Sequence, residues 1–196
     1  MVSTQIFVEG GSNNSDPAAR RGFSEFFKHA RIEKLPRVVV CGPRGNAIRS
    51  YRNRKGLGVL LVDSESPVIA STKIQHLLDR EDIDHKHKHE LAEEEIFFMI
   101  EAMESWLIAD IESIAKTHPK VDPKPAQKVR ERVQNQVEKI SKRDSDEALK
   151  KSLPENMGKG RRMELMELLD PQIVMLLAPE AKALITHLRD TSIRTG

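Results

Sequence analysis

Three short, unbroken apolar runs constrain this chain more than any other feature. Ile6-Phe7-Val8 closes on Glu9-Gly10-Gly11, Val38-Val39-Val40-Cys41 closes on Gly42-Pro43, and Val59-Leu60-Leu61-Val62 closes on Asp63-Ser64-Glu65. Runs of this length without polar alternation suit strands of a parallel sheet covered on both faces. The segments between them read as helices. Asp16-Pro17 has the form of an N-cap followed by a first-turn proline. Phe23, Phe26, Phe27 and Ala30 then recur at helical spacing, which predicts a helix over 17–31 with one apolar face on the sheet. Gly42-Pro43-Arg44-Gly45 turns the chain into a second helix reaching Tyr51. The order is βαβαβ. Right-handed crossovers make such strands parallel and gather their carboxyl ends on one edge, where open α/β sheets bind ligands.

Further on, 73–80 reads as a short helix and 81–90 as a charged loop. Glu95-Ile96-Phe97-Phe98-Met99-Ile100 reads as a fourth strand on its β-branched and aromatic content, with one long helix running into Met103–Leu107 as the alternative. After Asp110 the texture changes: Pro119, Pro123 and Pro125 interrupt the chain before a basic helix over about 126–142. A last helix after Pro179 carries Ala181, Leu184, Ile185 and Leu188 on one face. The expected architecture is α/β, a parallel β-sheet of about four strands with flanking helices plus a helical C-terminal region. Residues 1–115 form the α/β core, and 116–196 a basic helical region packing on it.

A chain of 196 residues, 38% hydrophobic, supports one substantial core. It has neither a long apolar run nor a signal-like N-terminus, so no membrane and a cytoplasmic location are expected. A single cysteine, Cys41, precludes an intrachain disulfide. Aromatic content of 4% argues against stacking platforms for single-stranded bases. The net charge of +2 is unevenly spread: residues 116–162 hold 14 Lys/Arg against 7 Asp/Glu, or +7, which leaves −5 for the rest. An acidic body beside a basic segment suits a polyanionic partner such as nucleic acid. A solvated helical face is the plainer reading of the same charges.

The acids at the strand ends are the candidate chemistry. Glu9 follows the first strand, while Asp63 and Glu65 follow the third with one residue between them. In extended backbone alternate side chains share a face, so Asp63 and Glu65 should point together and Glu9 should face them across the edge. Converging carboxylates raise one another's pKa, and a hard divalent cation relieves that repulsion through oxygen coordination. Any one of these acids taken singly also fits a capping role.

Val8-Glu9-Gly10 and Leu61-Val62-Asp63-Ser64-Glu65 resemble the glutamate and Asp-x-Asp signatures of the TOPRIM superfamily of topoisomerases, primases and overcoming-lysogenization-defect nucleases. More narrowly, the chain resembles a TOPRIM-like uncharacterised bacterial domain-of-unknown-function family. That likeness runs through Cys41-Gly42-Pro43-Arg44, Gln75-His76-Leu77, Met103-Glu104-Ser105-Trp106, Ala109-Asp110, Lys159-Gly160-Arg161 and Leu169-Asp170-Pro171. The resemblance implies Mg²⁺-dependent (or Mn²⁺-dependent) phosphodiester cleavage with the glutamate and the acidic pair as metal ligands. The wider relatives suggest phage defence. Glu65 stands where the usual motif ends in aspartate.

Glu104 is the fourth candidate metal ligand; it falls just beyond the fourth strand and resembles a glutamate of related nucleases. An acid in an apolar stripe needs a metal or a paired cation. Asp110 reads as an N-cap of the following helix. Lys159 and Arg161, flanked by glycines, are expected in a basic loop able to close on a phosphate. Arg44 could act likewise from the second strand's end, and solvated surface cations are the plainer assignment. Glu9 and Lys159 are thus the catalytic candidates, and Arg44, Lys159 and Arg161 the substrate-binding ones. His85, His87 and His89 read as a surface loop, Cys41 as a buried small hydrophobe, and no Walker A loop occurs. Two other functions stay open at this point: a non-catalytic nucleic-acid- or protein-binding module, perhaps partnering an ATPase, and a small-phosphate hydrolase.

Overall fold

The computed structural model describes residues 4–11 and 16–194, leaving out the side chains of 159, 160, 193 and 194. The strands are β1 (Gln5–Val8), β2 (Arg37–Val40), β3 (Gly58–Asp63) and β4 (Ile96–Met99), in the order β2-β1-β3-β4 with every pairing parallel. Ile6 lies opposite Val38 on one side and Val59 on the other, and Leu61 lies opposite Phe97. Side chains alternate across a strand, so this register sorts the apolar residues into two cores. Ile6, Val8, Val59, Leu61, Phe97 and Met99 face one core; Phe7, Leu60, Val62, Ile96 and Phe98 face the other.

Helix α1 (Pro17–His29) covers the first face. Asp16 caps it by accepting from the Ala19 amide at 3.0 Å, and Phe23, Phe26 and Phe27 are fully enclosed beneath it. The Phe26 ring lies 5.8 Å from that of Trp106. Burial of each such ring stabilises the fold by about 1.5–3 kcal/mol. The opposite face is covered by α2 (Arg44–Arg52), through Ala47, Ile48 and Tyr51, and by α3 (Lys73–Asp79), through Leu77 and Leu78.

The strand reading of 96–99 holds, and the long-helix alternative does not. Glu101 at φ +55° breaks the backbone before α4 (Glu104–Ala109) begins. Helix α5 (Ile111–Thr117) follows. Asp110 occupies the position before α5, and its carboxylate accepts from the Asp170 amide at 2.6 Å, tying this corner to the C-terminal segment.

The single basic helix expected over 126–142 ends early, as α6 (Lys124–Arg132) followed by a 3-10 turn at Val137–Lys139, and a further helix that was not expected, α7 (Lys142–Ser152), begins where the expected one would have stopped. Gln134 and Asn135 adopt φ of +54° and +62°, which no right-handed helix accommodates. The chain restarts where Ser141 accepts from the Asp144 amide at 3.1 Å. The Asp122 amide donates to the Ser152 carbonyl at 2.9 Å, so α6 and α7 run antiparallel, with the start of one beside the end of the other. A 3-10 helix over Lys159–Leu168 then passes against α1, followed by α8 (Pro171–Leu177) and α9 (Pro179–Arg194). Apolar residues of α4 through α9 share one continuous core with the first face of the sheet. Among the described residues no helix is long and apolar enough to cross a membrane.

Candidate metal centre

At the carboxyl edge of the sheet a cleft of about 440 Å³ is lined by Glu9, Asp63, Glu65, Glu104, Lys142 and the glycine turns after β1 and β2. One carboxylate oxygen from each of Glu9, Asp63 and Glu65 lies within 4.8 Å of the others. Each acid is only partly exposed.

The backbone explains the convergence. Gly10 and Gly42 exchange a pair of hydrogen bonds at 2.8 and 3.0 Å that joins the turns beyond β1 and β2, with Gly10 at φ +117°. A Cβ on Gly10 would meet only the flexible end of the Met163 side chain, so it is the backbone angle that calls for glycine there. Glu9 Oε2 then accepts from the Asp63 amide at 3.1 Å, which holds the first acid against the end of β3.

Asp63 and Glu65 do not meet by extended alternation. Glu65 stands at φ +63°, a left-handed conformation for a residue with a full side chain. It is held there by its amide, which donates to the Glu101 carbonyl at 3.0 Å. The Ser64 hydroxyl accepts from the Glu101 amide at 2.7 Å, so the loops after β3 and β4 brace one another. Asp63 Oδ1 accepts from the Met103 amide at 2.9 Å.

Two cations engage these acids. Arg44, expected as a surface or phosphate-facing cation, is 9% exposed and sits among carboxylates. Its guanidinium reaches Glu9 at 3.0 Å, Glu65 at 3.2 Å and Asp82 at 2.9 Å. Lys142, the first residue of α7, pairs with Glu65 and lies 3.9 Å from Asp63. Burial pushes the Asp63 carboxyl well above the usual carboxylate range, with further upward pressure from Glu9 and Glu104. Burial also raises Glu9, against the opposing pull of Arg44.

Glu104 lines the cleft but belongs to a separate ion cluster. Arg162, 2% exposed, donates to Glu104 at 3.0 Å and to Asp146 at 2.7 Å. The buried-acid requirement is therefore met by a guanidinium. Arg161 is exposed and pairs with its neighbour Glu164 at 3.2 Å, away from the cleft. Lys159 begins a 3-10 helix in place of the expected loop, and its side chain lies outside the described residues. Cys41 is buried, and burial pushes its thiol up, which suits a packing role. His85, His87 and His89 lie on a short 3-10 helix, where His87 pairs with Glu90 at 2.6 Å. Among the described residues only Glu9, Asp63 and Glu65 form a cluster able to hold a metal.

Lys142, Arg162 and Asp82 are the site residues that sequence reasoning missed. Ser141-x-x-Asp144 is an N-cap signal that marks a helix starting at Lys142. No comparable signal announces a buried arginine or a partner in the 81–90 segment.

Fold and cleft together define an α/β protein whose parallel sheet carries a cluster of acids at its carboxyl edge, in an arrangement able to hold a cation. Compared with models of protein families, with curated proteins and with solved structures, the chain finds no match.

Proposed function

We propose that Glu9, Asp63 and Glu65 hold a divalent cation, Mg²⁺ or Mn²⁺, and that the protein uses it to cleave phosphodiesters. The observation that carries this reading is the approach of three carboxylate oxygens to within 4.8 Å of one another, on turns braced so that they cannot easily separate. Oxygen-only donors of this hardness match Mg²⁺ and Mn²⁺. When bound, such an ion makes water a nucleophile near neutral pH and offsets charge on a phosphoryl group. The protein's own groups would divide the remaining work. Arg44 keeps Glu9 and Glu65 oriented, and Lys142, once Glu65 engages the cation, has an ammonium free to meet a phosphate oxygen. Glu104, fixed by Arg162, forms one wall of the cleft.

One observation favours a non-catalytic module instead: Arg44 and Lys142 already compensate all three acids from within the chain. Calorimetric titration with Mg²⁺ and Mn²⁺, followed by cleavage assays on DNA, RNA and a small phosphodiester, separates the readings. The nuclease reading expects metal binding and polymer cleavage, both abolished by Glu9→Ala and by Asp63→Ala. Cleavage of the small ester alone would indicate a small-phosphate hydrolase. Metal binding without any cleavage, or no metal binding, would leave the binding module.

A further inference from the structure

The second large cleft of the molecule lies between α6 and α7, with a volume of about 460 Å³. Lys124, Lys128 and Arg132 line it at successive helical turns, and Lys151 faces them from the antiparallel helix. All four are exposed, and among the described residues no carboxylate or carbonyl engages their charged ends. Their neighbours behave differently. Arg130 pairs with Glu112 at 2.6 Å and Lys150 with Asp146 at 2.7 Å, both directed away from the groove. Two acids also line the groove. Asp144 sits in the first turn of α7, where the helix dipole favours it, and Glu147 lies 3.9 Å from Arg143. Four cations against two acids leave the groove positive, with like charges stacked at i and i+4 where they repel.

Residues on α7 advance about 100° each, so Asp144, Glu147 and Lys151 share a flank while Lys142 lies on the opposite one. Helix α7 is therefore the wall between the two clefts, Lys142 serving the acids and Lys151 the groove. The wall is roughly 10 Å thick, about one helix diameter. A mononucleotide at the acids cannot reach the groove, whereas a chain of phosphates passing the start of α7 can touch both.

We propose that the α6–α7 groove binds the phosphate backbone of a nucleic-acid strand, anchoring a polymer whose scissile bond lies across α7. This deepens the phosphodiester reading by naming a polymer as the substrate, but binding in the groove requires neither the acids nor a metal. The floor is formed by Val129 and Ala148, and among the described residues no aromatic ring lines the groove, so it grips phosphates without reading bases. The spacing of the cations, about 6 Å per turn of α6, presents charge at intervals a phosphodiester chain can follow.

The test is fluorescence anisotropy with labelled single-stranded DNA in EDTA over a NaCl series. The wild type is compared with Lys124→Gln/Lys128→Gln/Lys151→Gln and with Lys86→Gln, an exposed lysine outside both clefts. Each lost phosphate contact lowers the salt slope by about 0.7, so the triple variant should lose about 2 from the slope and bind on the order of tenfold more weakly. Lys86→Gln should bind like the wild type, and because EDTA removes any divalent ion, this result stays separate from any failure of the metal reading. If the triple variant does not fold, Lys128→Gln alone should lower the slope by about 0.7. Unchanged affinity and slope in these variants would overturn the proposal. So would displacement of the DNA by poly-glutamate at equal charge concentration, which would point to an acidic protein partner.

Discussion

Substituting alanine for Gly22 should destabilise this protein, although the same change in an ordinary helix stabilises it. Gly22 is buried in α1, and a Cβ there would lie 2.2 Å from the Met163 carbonyl oxygen, 3.2 Å from the Met163 carbonyl carbon and 3.4 Å from Glu164 Cα. The obstacle is backbone, which cannot rotate aside, so α1 and the 3-10 helix must part by about 1 Å for the oxygen to reach ordinary contact. Helix propensity returns about 1 kcal/mol for Gly→Ala, while overpacking of this kind costs about 1–3 kcal/mol and occasionally more. A clash this close against backbone takes the upper half of that range, about 2–3 kcal/mol, so the net loss is about 1–2 kcal/mol, or a melting point about 2–8 °C lower for a chain of this size. Gly45 is the matched control. It lies in the first turn of α2 with nothing within 4 Å of its would-be Cβ, so Gly45→Ala should hold or raise the melting point. Thermal unfolding followed by circular dichroism measures both. A Gly22→Ala protein melting at or above the wild type would refute the close approach of α1 to the Met163 segment. That segment supplies Met163 to the cleft, so the variant also reports on how firmly the cleft wall is seated.

Two further outcomes follow from buried charge. Burial raises the Glu138 carboxyl to about 7, with Glu180 pushing it further up and Lys73 opposing, and its carboxylate accepts from the Glu180 amide at the start of α9. A folded value above the unfolded 4.5 means that the native state binds the extra proton, so this group's contribution is complete below about pH 4.5 and is lost as pH rises through 7. The full gap would be worth about 3 kcal/mol, reduced by partial exposure to about 1–2 kcal/mol. Denaturant midpoints should therefore decline over that range less steeply in Glu138→Gln; an identical pH profile in the variant would contradict the assignment. Arg162→Met should cost about 3–5 kcal/mol by leaving Glu104 buried without its partner, and adding Glu104→Gln should restore much of it, read as melting points. Equal melting points for the single and double variants would show that the pair does not carry the load.

The sheet was legible because β1 and β3 are continuous apolar runs ending in acids, and such runs have few alternatives in a chain punctuated by helical segments. Residues 96–99 were ambiguous because only 100–103 separate that strand from α4, and a positive φ at Glu101 leaves no mark in composition. The same blindness carried the basic helix ten residues past the end of α6: Gln134 and Asn135 turn the chain without glycine or proline, though the Ser141 cap that starts α7 was there to be read. Within the cleft, Glu9, Asp63 and Glu65 were found from the ends of their strands, but by the wrong local geometry, since Glu65 reaches its partners from a left-handed backbone. Arg44 was found but turned toward a phosphate or solvent rather than toward acids of its own chain, because those acids arrive from three separate stretches of the chain. Lys142 and Arg162 reach their carboxylate partners across 77 and 58 residues of sequence, and no local pattern encodes contacts of that range.

That span has a consequence for the nascent protein. All three acids and Arg44 leave the ribosome long before Lys142, so a chain paused in between gathers three negative groups against a single guanidinium. Until α7 arrives, Lys142 cannot offset them, so the charge balance of this cleft depends on a segment made late in synthesis.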